Sequence, residues 1–273
     1  MKAIYNSRVL PIEKIGLEIH NRAFCYGDGL FETIVTGADR INLLPLHAAR
    51  LSKACGILDI EMPFDAKLLA ELLQELREAN GLNGLLRFRV QLWRTSGGLY
   101  QPREREAQFL ITVSPTDRPF YSRVGKLGIA HDTRVTHHTL SFAKTMSAMP
   151  YVLAGLERKR GSFDDLVITD SQGHIAECIV SNIFWTQGDQ VFTASLDSGC
   201  IDGVMRQYLI SEFKKAGKAV EEVMAPVKAL EEADTIFLSN SSGIQWVGRF
   251  NESSAYNEPK ALLATLPTLL PLL

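Results

Sequence analysis

Leu86, Phe88, Val90 and Leu92 alternate with Arg87, Arg89, Gln91 and Trp93. A period of two marks a strand with one face buried. The run AQFLITVS, from Ala107, reads as its partner. Residues 65–81, DAKLLAELLQELREANG, follow a different rule, with leucines at helical spacing. They predict an amphipathic helix with Asp65 as its N-cap and Asn80-Gly81 as its stop. LFETIVTGADRINLL reads as a hairpin turning at Gly37-Ala38-Asp39-Arg40. A helix is predicted next over PLHAARLSKACGIL, with Pro45 suited to its first turn and Gly56 to its end.

After Pro115 the pattern breaks. PTDRPFYSRVG holds two prolines and several turn formers, the best candidate for a domain boundary. Beyond it come a strand, an apolar stretch around Lys144, a helix, and two hairpins. The hairpins are DLVITDSQGHIAE, turning at Ser171-Gln172-Gly173, and SNIFWTQGDQVFTAS, turning at Gly188-Asp189. GVMRQYLISEFKKAGK then predicts a helix ending near Gly217. The expected class is α/β (mixed α+β) in two domains: residues 1–117, a linker over 118–124, and 125–273.

Composition narrows the function. Of 273 residues 46% are hydrophobic and 22% charged, with a net charge of −2 and both signs scattered, which argues against a nucleic-acid binder. The four cysteines form no CxxC pair and the six histidines no HExxH, so no metal site is expected. The first twenty residues lack the apolar core of a signal peptide. The apolar tail ALLATLPTLLPLL is short and broken by Pro267 and Pro271, so it predicts a docked terminal segment and no membrane span. With free thiols, these features predict a cytoplasmic protein.

Two charges stand alone in apolar surroundings. Lys144 is the only formal charge between Arg134 and Glu157. It either snorkels to the surface or is shielded, and a shielded lysine becomes a usable amine. Glu177 is the only charge between Asp170 and Asp189, and it wants a cation: an arginine, or a protonated ring nitrogen. Gly203 precedes a helical run whose free N–H groups favour a phosphate, or else simply turns the chain. Arg50 sits mid-helix, either facing solvent or reaching inward as a phosphate clamp. Ser239, Ser241 and Ser242 end an apolar strand in hydroxyls that bind a phosphate or merely turn. Pyridoxal phosphate, with an aldehyde, a basic ring nitrogen and a phosphate, would use all of these elements.

The same residues carry a family resemblance. YGDGLFET, LHAARLSKACGIL, AKTMSAMPYVLA, AECIVSNIFW, IDGVMRQ and LSNSSGI together resemble the class IV aminotransferases, the fold-type IV pyridoxal phosphate enzymes, from about Ile4 to Val247. The resemblance implies a fold like that of D-amino acid aminotransferases, with the cofactor between two domains, in a homodimer acting on a small molecule. It makes Lys144 the Schiff-base lysine and assigns Glu177 to the pyridine nitrogen. It assigns the phosphate to Arg50, to Gly203 with the backbone of Val204 and Met205, and to Ser241. Tyr26 and Arg94 become candidates for the substrate's carboxylates.

The stretch AECIVSNIFWTQGDQVFTASLDSGCIDGVMRQY and the run LWRTSGGLY most resemble the branch that converts 4-amino-4-deoxychorismate to 4-aminobenzoate and pyruvate. The alternatives are a branched-chain or D-amino acid aminotransferase using 2-oxoglutarate, and a catalytically silent binding protein. After the lysine the family commonly has an asparagine, and several transaminases a tyrosine; here stand Ser147, Ala148 and Met149, with Tyr151 later and unassigned.

Overall fold

The computed structural model describes residues 1–37, 40–251 and 255–272. The chain packs as two compact units, Met1–Arg118 with Ala143–Ser147, and Pro119–Phe142 with Ala148–Leu273.

The first unit runs β1 (Lys2–Tyr5), β2 (Arg8–Pro11), α1 (Arg22–Tyr26), β3 (Gly29–Thr36), α2 (Leu44–Leu58), α3 (Ala66–Ala79), β4 (Leu86–Arg94) and β5 (Ala107–Pro115). Its five-stranded sheet has the order β2-β1-β5-β4-β3, antiparallel throughout. The alternation in β4 buries Leu86, Phe88, Val90 and Leu92 and exposes Arg87 and Arg89. Asp65 caps α3 by accepting the Leu68 N–H at 2.8 Å. Leu69, Leu72, Leu73 and Leu76 form the buried stripe of that helix.

Two expectations are corrected here. The hairpin after β3 does not form: β3 pairs with β4 and α2 already begins at Leu44. Three residues, Ile41 to Leu43, leave no room for a second strand. The predicted turn residues Ala38 and Asp39 lie outside the described residues. Gly56 does not end α2; the helix runs on to Leu58, and Asp59 takes the left-handed conformation at φ 54°.

The second unit holds β6 (Tyr121–Ile129), α4 (Met149–Arg160), β7 (Asp165–Thr169), β8 (Ile175–Cys178), β9 (Asn182–Gln187), β10 (Gln190–Ala194), α5 (Val204–Lys215), β11 (Val220–Val223), α6 (Lys228–Glu231), β12 (Thr235–Asn240), β13 (Gly243–Phe250) and α7 (Lys260–Leu263). Its eight strands lie in the order β11-β10-β9-β12-β13-β6-β7-β8. The pairs β10·β11, β13·β6 and β6·β7 are parallel, the others antiparallel. Both hairpins fall where their turns were read, β7–β8 and β9–β10. The apolar tail docks, with Leu263, Leu266 and Leu269 fully buried.

The stretch read as linker, 118–124, is mostly strand: Tyr121 starts β6, which pairs with β13. Prolines and turn formers mark the break at Arg118–Pro119, but the residues after it already serve a sheet. Lys144, read as part of the C-terminal domain, packs with the first unit.

Candidate active site

In the first unit the segment bearing Lys144 runs beside β3. The Phe31 N–H donates to the Lys144 carbonyl at 2.9 Å, and the Met146 N–H donates to the Gly29 carbonyl at 2.9 Å. Leu30 and Thr145 form an antiparallel bridge between those bonds. These backbone bonds hold the lysine against a strand, so its stem starts from a fixed place. Its side chain is half-buried, with Nζ 5.4 Å from the centre of the Phe31 ring. The Arg89 guanidinium lies over the same ring at 4.1 Å. Both cations are within cation–π range of one aromatic face system.

Of the two readings of Arg50, the structure shows the inward-facing one. It is buried, and its Nε and Nη2 donate to the two Glu32 oxygens at 2.8 and 2.5 Å. His47, one helical turn earlier, bonds through Nδ1 to Glu32 Oε2 at 2.7 Å. Burial works to raise the Glu32 carboxyl, but Arg50 and His47 outweigh it and hold the group down to about 2. Glu32 and His47 went unread in the sequence. The signal for Glu32 was present: it shares the buried face of β3 with Leu30 and Ile34, a carboxylate in an apolar register like Glu177.

Arg94 is buried. Its nitrogens donate to the carbonyls of Leu58 and Asp59 at 2.7 and 2.8 Å and to Asp28 Oδ2 at 3.2 Å. Arg22 shares Asp28 at 2.7 Å and holds the Gly97 and Leu99 carbonyls. Tyr26 ends α1 partly exposed, with the Arg22 guanidinium 5.0 Å from its ring centre and Tyr100 at 5.8 Å.

In the second unit Glu177, Tyr151 and Gly203 belong to one hydrogen-bonded network, joined through Ile201. Glu177, on fully buried β8, is 3% exposed. Its Oε1 accepts the Tyr151 hydroxyl at 2.6 Å and its Oε2 the Ile201 N–H at 3.2 Å. The Ile201 carbonyl accepts from Asn182 Nδ2 at 2.7 Å. Asn182 also decides the residue at 203: a Cβ there would lie 2.0 Å from its Oδ1. Gly203 has an ordinary φ of −64°, so the requirement is space and not handedness. Gly203, the N-cap, offers no side chain to cap α5, so the helix begins at the Val204 and Met205 amides without that cap.

Ser241 lies in the β12–β13 turn. The Ser242 N–H donates to Asn240 Oδ1 at 2.8 Å, and Asn240 Nδ2 donates to Ser181 Oγ at 3.0 Å, tying that turn to the start of β9. Ser239 is 1% exposed and pairs with Asn182 across β9 and β12. Directly paired residues share a sheet face, so Ser239 lies on the face from which Asn182 meets Gly203. Its Oγ is buried and has no hydrogen-bond partner among the described residues.

Within each unit the groups present fit a part of pyridoxal phosphate. A buried acceptor-only carboxylate suits a ring nitrogen that carries a proton. A glycine-started, uncapped helix with an orphaned hydroxyl on the adjoining face suits a phosphate. A lysine held by backbone bonds suits the aldehyde. Among the described residues no group of acidic, histidine or cysteine side chains could hold a metal, and no helix is long and apolar enough to cross a membrane.

Comparison with known proteins adds the family. The model of the amino-transferase class IV family matches residues 29–249. The chain belongs to the class IV aminotransferases. It is therefore a member of a pyridoxal phosphate enzyme family, with the fold-type IV architecture. Among curated relatives, aminodeoxychorismate lyase of Bacillus subtilis (strain 168) is 26% identical over 242 residues, covering 86% of this chain and 82% of that protein. D-alanine aminotransferase of Listeria monocytogenes (strain 10403S) is 22% identical over 253 residues, covering 89% and 84%. The fold also matches the branched-chain aminotransferase of the thermophilic archaeon Thermoproteus uzoniensis with norvaline, at TM-score 0.87 and 20% identity, over 98% of this chain and 93% of that one.

Proposed function

We propose that this protein is a pyridoxal phosphate-dependent lyase that converts 4-amino-4-deoxychorismate to 4-aminobenzoate and pyruvate. The observation that carries the cofactor is the buried Glu177 carboxylate, donated to on both oxygens and tied through Ile201 to the glycine start of α5. Likeness to the Bacillus subtilis lyase over most of both chains supports the choice of reaction.

Bound pyridoxal phosphate supplies an aldehyde that condenses with amines and a ring that accepts the electron pair left at the substrate's α-carbon. The chain's residues do the rest. Lys144 Nζ would hold the cofactor through its aldehyde and would serve as general base for the α-proton. Glu177 keeps a proton on the ring nitrogen by offering a fixed negative charge. The Val204 and Met205 amides, Ser241 and Arg50 hold the phosphate. Glu32 fixes the plane of the Arg50 guanidinium. Arg94 is engaged by Asp28 and backbone carbonyls, so we move the substrate-carboxylate role to Arg89, which stands with Lys144 over Phe31. Tyr26 remains a contact for the substrate. The proposal includes a homodimer, to be measured by light scattering.

The test is product identity. Supplied with 4-amino-4-deoxychorismate and no oxo acid, the enzyme should release 4-aminobenzoate and pyruvate over many turnovers. A transaminase would stop after one half-reaction. Likeness to the Listeria enzyme supports that second reading. Sustained amino transfer from a D-amino or branched-chain amino acid to 2-oxoglutarate, without 4-aminobenzoate, would establish it.

A further inference from the structure

Tyr151 has no role so far in this chemistry, yet its hydroxyl bonds directly to Glu177. It stands in the first turn of α4, behind Pro150. Its side chain is half-buried and its hydroxyl donates to Glu177 Oε1 at 2.6 Å. That length belongs to the charge-assisted class of O–H···O⁻ bonds. Ile201 donates to the other oxygen. Two donors from two separate segments therefore hold opposite oxygens, which fixes the plane of the carboxylate. A carboxylate has about four acceptor positions, so it can take these donors and a further N–H.

Donation has a second effect. A hydrogen bond made to the charged form favours that form and lowers the group's proton affinity. Burial and the Glu177 charge push the Tyr151 phenol well above its ordinary range, so it remains a donor and does not compete as an anion.

We propose that Tyr151 is the positioning residue of Glu177: it orients the carboxylate and keeps its proton affinity low, so that a proton shared with a pyridine nitrogen stays on the nitrogen. This rests on the assignment of Glu177 to the cofactor's ring nitrogen. Removing the hydroxyl shifts that one proton from nitrogen toward a Glu177 oxygen; no other bond forms or breaks.

The test uses holoenzyme loaded with cofactor labelled with nitrogen-15 in the ring. In the wild type the label should resonate as a protonated pyridine. Tyr151→Phe should move it toward the unprotonated position, with kcat reduced about tenfold, in line with the loss of one hydrogen bond to a charged group. KM and cofactor retention should stay unchanged. Replacing Tyr151 by 4-aminophenylalanine, a weaker donor of similar shape, should move the signal the same way by a smaller amount, and it serves in place of Tyr151→Phe if that variant does not fold. Glu177→Gln separates the two layers. If it leaves the nitrogen signal in place, the assignment of Glu177 to the ring fails. If it moves the signal while both changes at Tyr151 leave it unmoved, Tyr151 only anchors α4 and the proposal is overturned.

Discussion

Glu32→Gln tests the energetics of the first unit directly. Glutamine keeps the shape of the side chain but leaves the Arg50 guanidinium buried without its counter-charge. The Glu32 carboxyl falls from 4.5 to about 2 on folding, against the pull of burial, because Arg50 and His47 outweigh it. At ~1.4 kcal/mol per unit, that is roughly 3 kcal/mol of stability at pH 7. Breaking a buried pair by removing one partner gives a similar figure, about 3–5 kcal/mol. The sign follows from the depressed folded value: the stabilisation is full above the unfolded value and is lost as pH falls toward the folded one. The advantage of the wild type should shrink to roughly 1.4 kcal/mol at pH 3. The two units need not unfold together, so the assay should be local. Hydrogen exchange at the Ile34 and Leu51 amides reports on β3 and α2. At pH 7 the variant should exchange there roughly a hundredfold faster. Equal exchange in the two proteins at pH 7, or an advantage that does not change between pH 7 and pH 3, would refute the reasoning.

Three other outcomes are expected. Gly203→Ala should cost about 1–3 kcal/mol by overpacking against Asn182 and weaken retention of pyridoxal phosphate; the added change Asn182→Ala should recover part of that loss, as binding titrations would show. Arg94→Ala should lower the unfolding midpoint by the equivalent of about 3 kcal/mol, whereas Arg89→Ala should leave stability within about 0.5 kcal/mol and raise KM; the opposite pattern would return the substrate role to Arg94. At pH 8 a thiol reagent should modify Cys25 alone in the native protein, because Cys25 is exposed while burial pushes Cys55 up to about 11 and Cys200 up to about 12 and raises Cys178 as well. Rapid modification of more than one thiol would count against that burial.

Sequence alone determined what depends on local spacing. The alternation of β4, the leucine stripe of α3 with its Asp65 cap, and both hairpins of the second unit follow from periods of two and 3.6 and from turn chemistry within a few residues. The isolation of Lys144 and Glu177 among apolar neighbours was also visible, because a charge in such a run needs a purpose. Tertiary structure decided who their neighbours are. Arg50 and Arg94 look alike as arginines in a sequence; one meets Glu32 eighteen residues away, the other meets Asp28 across sixty-six. The glycine at 203 is required by the side chain of Asn182, which only the approach of β9 to the start of α5 brings near. Lys144 takes its place from backbone bonds to β3, more than a hundred residues earlier in the chain. Hydrogen bonds and charge pairs act over a few ångströms, whatever the separation along the chain. Local pattern therefore marks which groups need partners, and only folding supplies them.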